Sequence, residues 1–444
     1  MTREDLIFKF LTIEKKYGYT RKIIWQFIRV EVFRYIEDDL FLTQCEPIYL
    51  RQPIRFSGLP VLPAEQRDLL ILNCYDRYVK IDGDIFCPST GGIATYYPRN
   101  HFQIGISFKD RKFHNAEQIL QVNSEACYES SIQTDIIESD ITRFLQLMSY
   151  RYNDVDKIKT RVSNLMKYVE SVTKFEKEWI RIFHKLSPKV LVVSNGYNPF
   201  FKMAIFVANS LGITTVEAQH GHINKCHIAY NTFDKSPNAC LSVPKYMFVY
   251  GKTYKKSGRF YQSLKHIIPV GNYCAEYATR KIRYGNNKAY DILFVSATNS
   301  NVVKKYAIEL AKLRPDLRIK YRFHPEEHVN EAYIAELLAY KINIEFPNQC
   351  SIYVTLAESD TIVTYNSTVT FEALALGKRV ITISDTLIKV DDSVKPFVYE
   401  ITQTCELINA MENSSHRIEI GLNDFSQSHY EKNLKKAMLQ VGIS

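Results

Sequence analysis

Short apolar runs alternate with longer amphipathic stretches through the C-terminal half of the chain. The apolar runs are rich in β-branched residues and lie at 291–296, 319–323, 342–346, 361–364 and 380–383. Stretches with helical spacing of apolar positions separate them, at 301–313, 351–358 and 369–376. Two further helices are predicted at 403–413 and 424–440. Strands that alternate with helices in this way predict a parallel sheet that is covered by helices.

A second alternating block precedes the first. It has apolar runs at 190–193, 214–217, 246–250 and 267–270, and a helical stretch at 199–211. The polar segment 271–288 contains Gly285-Asn286-Asn287, which is typical of a linker. We therefore predict an α/β protein in which two Rossmann-like domains face each other across a cleft. The expected domains are 1–272, with a helical N-terminal extension, and 288–444.

The chain before the alternating blocks has mixed character. Leu6, Phe10 and Ile13 recur at helical spacing, and a second such stripe follows Gly18, which predicts two helices. A stripe of this kind faces a core or lies on a membrane surface, and we expect a core. Residues 68–107 are predicted to be β-rich, and 134–185 helical.

Charge and cysteine content narrow the class of partners. The chain of 444 residues carries 57 basic and 48 acidic residues, a formal net charge of +9. This favours anionic partners such as nucleotide phosphates, acidic glycans or a membrane surface. The basic residues are scattered and form no nucleic-acid motif, so we expect no nucleic-acid partner. Nine cysteines without a C-x-x-C pair predict free thiols in a reducing compartment. We expect a cytoplasmic protein without a signal peptide or spanning helix, with peripheral contact to the inner membrane left open.

Polar side chains follow the strand 361–364 directly. Ser367 and Thr368 stand where the next helix begins, and unpaired backbone N–H groups at such a position favour anions. Glu372 lies about one turn into the helix, at a depth that suits ribose hydroxyls. An ordinary helix cap with a solvated Glu372 would give the same pattern.

A second cluster follows the strand 319–323. Arg322 and His324 could neutralise phosphate there, and Pro325 ends the strand and fixes the turn. Ser296 and Thr298 close the first strand of the same block, where a donor-phosphate loop is expected. We include both as candidate donor contacts.

A third cluster leaves the strand 214–217 as Gln219-His220-Gly221-His222. Gly221 allows a tight backbone path, and His220 can remove a proton from an attacking hydroxyl near neutral pH. Gln219, Gly221 and His222 are predicted on the acceptor side. The histidines do not have the spacing of a zinc motif, so we expect no metal.

Two smaller features complete the candidate set. Asn195 and Tyr197 follow the strand 190–193 and could line the acceptor side, although Asn-Gly is also ordinary turn chemistry. Asp82-Gly83-Asp84 imitates a metal-binding Asp-x-Asp motif. It precedes the alternating blocks, and we predict a turn.

These motifs resemble those of known families. The segment 361–384, TIVTYNSTVTFEALALGKRVITIS, looks like the donor-nucleotide helix of GT-B glycosyltransferases and their epimerase relatives. The His-Pro at 324–325 is similar to that of bacterial polysialyltransferases, Kdo transferases and glycerophosphate polymerases. In those families this His and a downstream Ser/Thr pair contact the donor phosphates, which implies the same role for His324, Ser367 and Thr368.

Together with Gln-His-Gly-x-Ile, the motifs over roughly 189–385 resemble bacterial surface-polysaccharide glycosyltransferases. The resemblance implies a metal-independent GT-B glycosyltransferase for capsule or lipopolysaccharide assembly. A nucleotide-sugar donor would be the co-substrate, and a glycan or lipid-linked glycan the acceptor. The chain departs from the sialyl- and Kdo-type families where His220 replaces an acidic base, and His222 stands where an aliphatic residue is more usual after Gln-His-Gly. The donor therefore stays open. The alternatives are a nucleotide-sugar epimerase, a CDP-polyol phosphotransferase and a non-catalytic binding subunit.

Overall fold

The computed structural model describes most of the chain. The described residues are 2–41, 65–74, 78–107, 119–121, 138–148, 155–281, 289–297, 300–325, 327, 329–347, 349–365, 367–385, 390, 394–412 and 425–444. Two parallel sheets dominate them, one of seven strands and one of six. The α/β architecture of two Rossmann-like domains is confirmed.

The first sheet has the order β5-β4-β1-β6-β7-β8-β9, and all of its pairs are parallel. Its strands are β1 (Leu69–Cys74), β4 (His101–Ser107), β5 (Ile119–Gln121), β6 (Val190–Val193), β7 (Thr214–Ala218), β8 (Tyr246–Val249) and β9 (Ile267–Pro269). The region 68–107 therefore belongs to the sheet itself, with β1 near its centre. The described residues of this region also form the separate hairpin of β2 (Val79–Ile81) and β3 (Asp84–Phe86) and a short helix, Gly91–Tyr96. Asp82 and Gly83, both with positive φ, form the turn of the hairpin, as predicted.

Helices cover both faces of the first sheet. They are α1 (Arg3–Lys16), α2 (Ile23–Phe41), α3 (Gly91–Tyr96), α4 (Glu138–Met148), α5 (Val155–Thr173), α6 (Glu176–Leu186), α7 (Pro199–Ser210), α8 (Pro237–Cys240) and α9 (Tyr273–Lys281). Leu70 and Leu72 face α1, α2 and α4–α7, whereas Leu69 and Ile71 face α3 and α9. The alternation follows from the two-residue period of a strand. The N-terminal stripe is thus buried in a core.

The N-terminal helix pair contains a buried ion pair. Arg29 on α2 donates through Nε and Nη2 to the carboxylate of Glu14 on α1, at 2.8 and 2.9 Å. Arg29 also donates to the backbone oxygens of Ile228 and Asn231, and Trp25 donates to Glu14. The pair therefore ties both helices to the turn at 228–231.

The second sheet has the order β12-β11-β10-β13-β14-β15, again all parallel. Its strands are β10 (Tyr290–Val295), β11 (Ile319–Arg322), β12 (Asn343–Glu345), β13 (Ser359–Thr364), β14 (Arg379–Ile383) and β15 (Tyr399–Ile401). Its helices are α10 (Ser300–Leu313), α11 (Glu331–Ala339), α12 (Ile352–Ala357), α13 (Val369–Ala375) and α14 (Thr404–Glu412). The strand order places the first strand of the block, β10, in the interior of the sheet, as in doubly wound folds.

The last helix, α15 (Tyr430–Gln440), returns to the first domain. Tyr430, Leu434 and Met438 pack in the same core as Leu69 and Val190. The interval 288–444 predicted for the C-terminal domain therefore ends in a helix that covers the first sheet. The segment 271–288, which was predicted to be a linker, contains the helix α9 at 273–281. Cys274 and Ala278 of this helix are buried in the same core. Residues 282–288 lie outside the described residues.

The two chain segments that join the domains lie side by side. Asn272 donates its backbone N–H to Ser426 Oγ at 3.2 Å, and Gln427 donates its backbone N–H to Tyr250 O at 2.8 Å. Gly271 has a φ of +107°, and a Cβ there would come within 2.3 Å of Gln427 O. Glycine is therefore required at the point where the two segments touch.

Candidate active site

A cavity of about 180 Å³ lies between the two domains. Its lining residues come from three parts of the chain: the ends of the first-sheet strands, the helices α12 and α13, and the returning C-terminal segment. They are Pro88, His220, Gly221, Tyr250, Tyr254, Asn272, Tyr353, Thr368, Phe371, Glu372, Ala375, Phe425 and Ser426. The cleft predicted from the sequence is thus built by both domains, at the carboxyl ends of their strands.

The loop after β7 forms one wall of this cavity. Gln219 is buried, donates through its side-chain amide to Gly221 O at 2.8 Å and accepts from Tyr250 N at 2.8 Å. Gln219 thus shapes the loop instead of presenting its amide to an acceptor, which corrects that prediction. Gly221 lines the cavity, and a Cβ there would stand 3.5 Å from Thr368 Cγ2. The Gln-His-Gly loop and the Ser-Thr motif therefore face each other across the cleft.

His220 lies on this wall with 9% of its side chain exposed. Its Nε2 is 3.3 Å from the hydroxyl of Tyr197, and its Nδ1 is 3.5 Å from the hydroxyl of Tyr230. Nδ1 is also 3.7 Å from Oε1 of Glu217. The imidazole thus has one nitrogen toward a phenol and the other toward a buried carboxyl group.

Glu217 lies behind His220 and is 2% exposed. Burial raises the pKa of its carboxyl group to about 7, although a hydrogen bond from Tyr230 and one from the backbone N–H of Gly196 favour the charged form. A Cβ on Gly196 would come within 2.3 Å of Glu217 Oε2, so only glycine leaves room for this carboxyl group. From the sequence, Glu217 is only an alternative base to His220, and its contacts with Gly196 and Tyr230 are defined by the fold.

The two residues predicted beside this wall have different functions in the fold. Asn195 Oδ1 accepts from the backbone N–H groups of Tyr197 and Asn198 and so forms the turn after β6. Asn195 is therefore structural, in agreement with the turn chemistry of its sequence. Tyr197 lies beside His220, with its hydroxyl 3.3 Å from Nε2.

The other two histidines of the motif region contact aromatic rings. His222 stacks on Phe371 of α13, with ring centroids 4.3 Å apart, and its Nε2 is 2.9 Å from Asn224 Nδ2. It therefore joins the two domains. His227 packs against Tyr197 and Tyr230, and burial lowers its pKa to about 3. Among the described residues, no group of three or more His, Cys, Asp or Glu side chains is placed to hold a metal ion.

The opposite wall comes from the start of α13. Thr368 is exposed and lines the cavity, and Ser367 Oγ accepts from the backbone N–H of Val369 at 3.2 Å. Glu372 also lines the cavity and accepts from Tyr353 Oη at 3.2 Å. Burial raises the pKa of the Glu372 carboxyl group to about 7. Its position on a helix wall of the cleft agrees with the sequence prediction.

The structure does not place Arg322 as a free phosphate ligand. Its side chain is 8% exposed and forms an ion pair with Glu345, its neighbour in the β11–β12 register. It also donates to Thr355 Oγ1 at 3.0 Å and to Cys350 O at 2.9 Å. These contacts hold the guanidinium inside the second domain, which corrects the prediction of direct donor binding.

Three further donor-side candidates, Ser296, His324 and Pro325, do not line the cavity. Ser296 is fully buried and accepts from Tyr321 Oη at 3.0 Å, so it is a core residue and the predicted donor contact is wrong. His324 and Pro325 follow β11 but are not among the described residues that line the cavity. Thr298 lies outside the described residues.

Aromatic side chains make up much of the lining, and the sequence analysis did not select them. Tyr250, Tyr254, Tyr353, Phe371 and Phe425 come from four separate segments. Burial raises the pKa of Tyr250 and Tyr353 above the usual range. Aromatic faces suit the apolar faces of sugar rings or a nucleobase. The chain contains 30 Tyr and 25 Phe, and no local motif distinguishes the five that line the cavity.

Comparison with known proteins gives the fold. No protein-family model matches the sequence, and no curated protein matches it. The UDP-GlcNAc 2-epimerase from Methanocaldococcus jannaschii is 15% identical, covers 84% of this chain and 99% of its own, and has a TM-score of 0.52. A second UDP-N-acetylglucosamine 2-epimerase is 10% identical, with 85% and 97% covered and a TM-score of 0.50.

A glycosyltransferase also matches. The glycotransferase of kitacinnamycin is 13% identical, covers 85% of this chain and 95% of its own, and has a TM-score of 0.47. At the low identities of the two epimerases, their likeness to this chain shows architecture and not activity. The chain has the GT-B fold, with two Rossmann-like domains.

Proposed function

We propose that the protein is an enzyme that acts on a nucleotide-activated sugar in the cleft and transfers the sugar to an acceptor hydroxyl. One observation carries the proposal. The loop with His220 and the helix start with Thr368 and Glu372 line one cavity, and a Cβ on Gly221 would stand 3.5 Å from Thr368 Cγ2. The His220 imidazole and the start of α13 thus line the same space, in which a donor and an acceptor would meet.

His220 acts as the general base in this proposal. An acceptor hydroxyl gives its proton to the imidazole while its oxygen bonds to the anomeric carbon, and the nucleotide leaves with the electron pair of the broken C–O bond. The cavity walls exclude most of the water around His220, which limits hydrolysis of the donor.

The second domain holds the donor. Glu372 is placed to accept hydrogen bonds from ribose hydroxyls, and Ser367 and Thr368 offer hydroxyl donors near the phosphates. His324 remains a candidate for donor binding because it follows β11 at the end of the strand. Its His-Pro motif also resembles that of the families in which this histidine contacts the donor phosphates. Arg322 cannot contact a phosphate while it is bound to Glu345, but its charge favours the ionised form of Glu372. These groups would stabilise the leaving phosphate electrostatically, without a metal.

The acceptor proposed here is a growing bacterial surface glycan of capsule or lipopolysaccharide type. Support comes from the three sequence motifs and from the net charge of +9, which suits acidic glycans and anionic lipid. No helix among the described residues is long and apolar enough to cross a bilayer. A lipid-linked acceptor would therefore be reached by peripheral contact with the inner membrane face.

Epimerisation of a nucleotide sugar is the second candidate. The fold is shared with a UDP-GlcNAc 2-epimerase over 84% of the chain. Inversion of a carbon centre needs groups that remove and return a proton, and Glu217 and Glu372 both have a pKa of about 7. Glu372 lines the cavity directly, and Glu217 lies behind His220.

Incubation with CMP-, CDP-, UDP- and GDP-sugars in D₂O separates the two candidates. A transferase releases nucleotide only when an acceptor oligosaccharide is present, and the transferred sugar carries no deuterium. An epimerase needs no acceptor and incorporates deuterium at the inverted carbon, which mass spectrometry and NMR detect. Neither nucleotide release nor deuterium uptake with any donor would count against both.

A variant tests the base. His220→Ala should lower kcat by about 10²–10⁴-fold with donor affinity nearly unchanged, because a base acts mainly in the transition state. The control is His184→Ala, since His184 is exposed at the end of α6. Turnover above about a tenth of wild type in His220→Ala would remove His220 from the mechanism.

A further inference from the structure

We propose that Glu217 is a positioning residue that holds the His220 imidazole through its Nδ1 side and stabilises the imidazolium formed during transfer. The inference rests on the proposed function, in which His220 is the base. Glu217 does not line the cavity, so it would act through His220 and not on the substrate.

The contacts around Glu217 fix its carboxyl group. Tyr230 Oη donates to Oε1, and the backbone N–H of Gly196 donates to the same carboxyl group. Oε1 stands 3.7 Å from His220 Nδ1, and the Tyr230 hydroxyl stands 3.5 Å from the same nitrogen. Two acceptor oxygens therefore lie on the Nδ1 side of the ring, one carboxyl and one phenolic.

This arrangement selects a tautomer. The hydroxyl hydrogen of Tyr230 is used in its bond to Glu217, so the Tyr230 oxygen can only accept from His220. A proton on Nδ1 then has acceptors nearby, whereas a lone pair on Nδ1 would face oxygen lone pairs. Nε2 is left without a proton, and its lone pair can take the proton of an acceptor hydroxyl. Tyr197 Oη, 3.3 Å from Nε2, occupies that position in the free enzyme.

The charge balance also favours this assignment. When Nε2 gains the acceptor proton, His220 becomes a cation next to a carboxyl group that is 2% exposed. In its ionised form Glu217 is a buried opposite charge that stabilises the imidazolium, and this stabilisation arises only after the proton has moved. Lys202 is a further titratable group near Glu217, and its positive charge lowers the pKa of the Glu217 carboxyl group. Lys202 is also buried and donates to Gln26 O, and burial lowers its pKa to about 7.

Glu217→Gln tests the inference with nearly unchanged shape. We expect kcat to fall by about 10²-fold, a part of the 10²–10⁴-fold that a positioned base supplies, with the KM for the donor unchanged. The ¹⁵N spectrum of His220 should show Nδ1–H in wild type, and its imidazolium should titrate at lower pH in the variant. The matched control is Glu178→Gln, because Glu178 is also buried, at 7% exposed, but pairs with Arg181 on α6.

The double variant separates positioning from direct catalysis. If Glu217 works through His220, the Glu217→Gln change should cost nothing further in a His220→Ala background. An additional loss there, or an Nε2–H tautomer in the wild-type spectrum, would overturn the positioning role. High activity of His220→Ala together with low activity of Glu217→Gln would instead refute the proposed base. Failure of the two proposals is therefore distinguishable.

Discussion

Replacement of Gly196 by Ala places a methyl group against the carboxyl group of Glu217. The new Cβ would lie 2.3 Å from Glu217 Oε2, 3.0 Å from Cδ and 3.2 Å from Pro244 Cγ. Carbon atoms do not approach oxygen at 2.3 Å, so the carboxyl group or the turn has to move. Movement of the carboxyl group would break its hydrogen bond from the Gly196 N–H.

The expected cost has two parts. Overpacking of a well-packed site costs about 1–3 kcal/mol, and loss of a hydrogen bond to a charged group costs about 1.5–3 kcal/mol. The two costs do not add fully, because the turn can move instead of the carboxyl group and so keep the hydrogen bond between the Gly196 N–H and Glu217. We therefore expect Gly196→Ala to lower the free energy of unfolding by about 2–4 kcal/mol.

Urea unfolding, monitored by tryptophan fluorescence, measures this cost in the first domain, which contains Gly196. Both tryptophans of the chain, Trp25 and Trp179, are buried in the first domain. Gly258→Ala is the control, since a Cβ at Gly258 would meet its nearest neighbours at 3.4 Å. That variant should stay within about 0.5 kcal/mol of wild type.

A double-mutant cycle tests whether the methyl group added at position 196 clashes with the carboxyl group of Glu217. In a Glu217→Ala background the carboxyl group is absent, so Gly196→Ala should cost less than about 1 kcal/mol. The coupling energy between the two sites should then be about 1–3 kcal/mol. An equal cost of Gly196→Ala in both backgrounds would refute the packing of Gly196 against Glu217.

Four further outcomes are expected. Glu14→Gln leaves Arg29 buried without its counter-charge and should lower the free energy of unfolding by about 3–5 kcal/mol, measured by the same fluorescence assay; a loss under 1 kcal/mol would contradict it. The native pKa of Glu372, about 7, exceeds the unfolded value of 4.5, so the native state binds more protons between these limits and its stability falls as pH rises through them. Glu372→Gln should reduce that fall by up to about 3 kcal/mol, and an unchanged pH profile of urea unfolding would refute it. His324→Ala should weaken donor binding by about 1.5–3 kcal/mol in calorimetry, and an equal affinity would remove His324 from the site. Excess EDTA should leave the transfer rate within about twofold, whereas loss that Mg²⁺ or Mn²⁺ restores would overturn a metal-free mechanism.

The sequence predicted the strands of both alternating blocks to within a few residues. The strand predicted at 361–364 is Ser359–Thr364, and the one at 319–323 is Ile319–Arg322. Apolar β-branched runs bounded by polar residues account for this accuracy, because the signal is local. That His220 and Thr368 line one cleft was also predictable, since ligands in α/β domains bind beyond the carboxyl ends of the strands and each residue follows a strand of its own domain.

Strand order and side-chain pairing could not be predicted in the same way. β1 (Leu69–Cys74) lies between β4 and β6, a neighbourhood that only the folded sheet defines. Arg322 stands at a strand end, as expected, but its partner Glu345 is 23 residues away and becomes its neighbour only through the β11–β12 register. The role of Glu217 depends likewise on Gly196 and Tyr230, which come from two other segments.

The return of α15 to the first domain makes the second domain an insertion. Its strands, β10 to β15, lie between α9 and α15, which both pack in the core of the first sheet. A fragment that ends near residue 281 would lack Leu434 and Met438 and would expose Leu69 and Val190 to water. Exchange of the second domain with that of another protein of this fold therefore needs two junctions, one after α9 and one before Phe425. A swap at a single junction would replace the second domain and also remove the part of the first-domain core that α15 supplies.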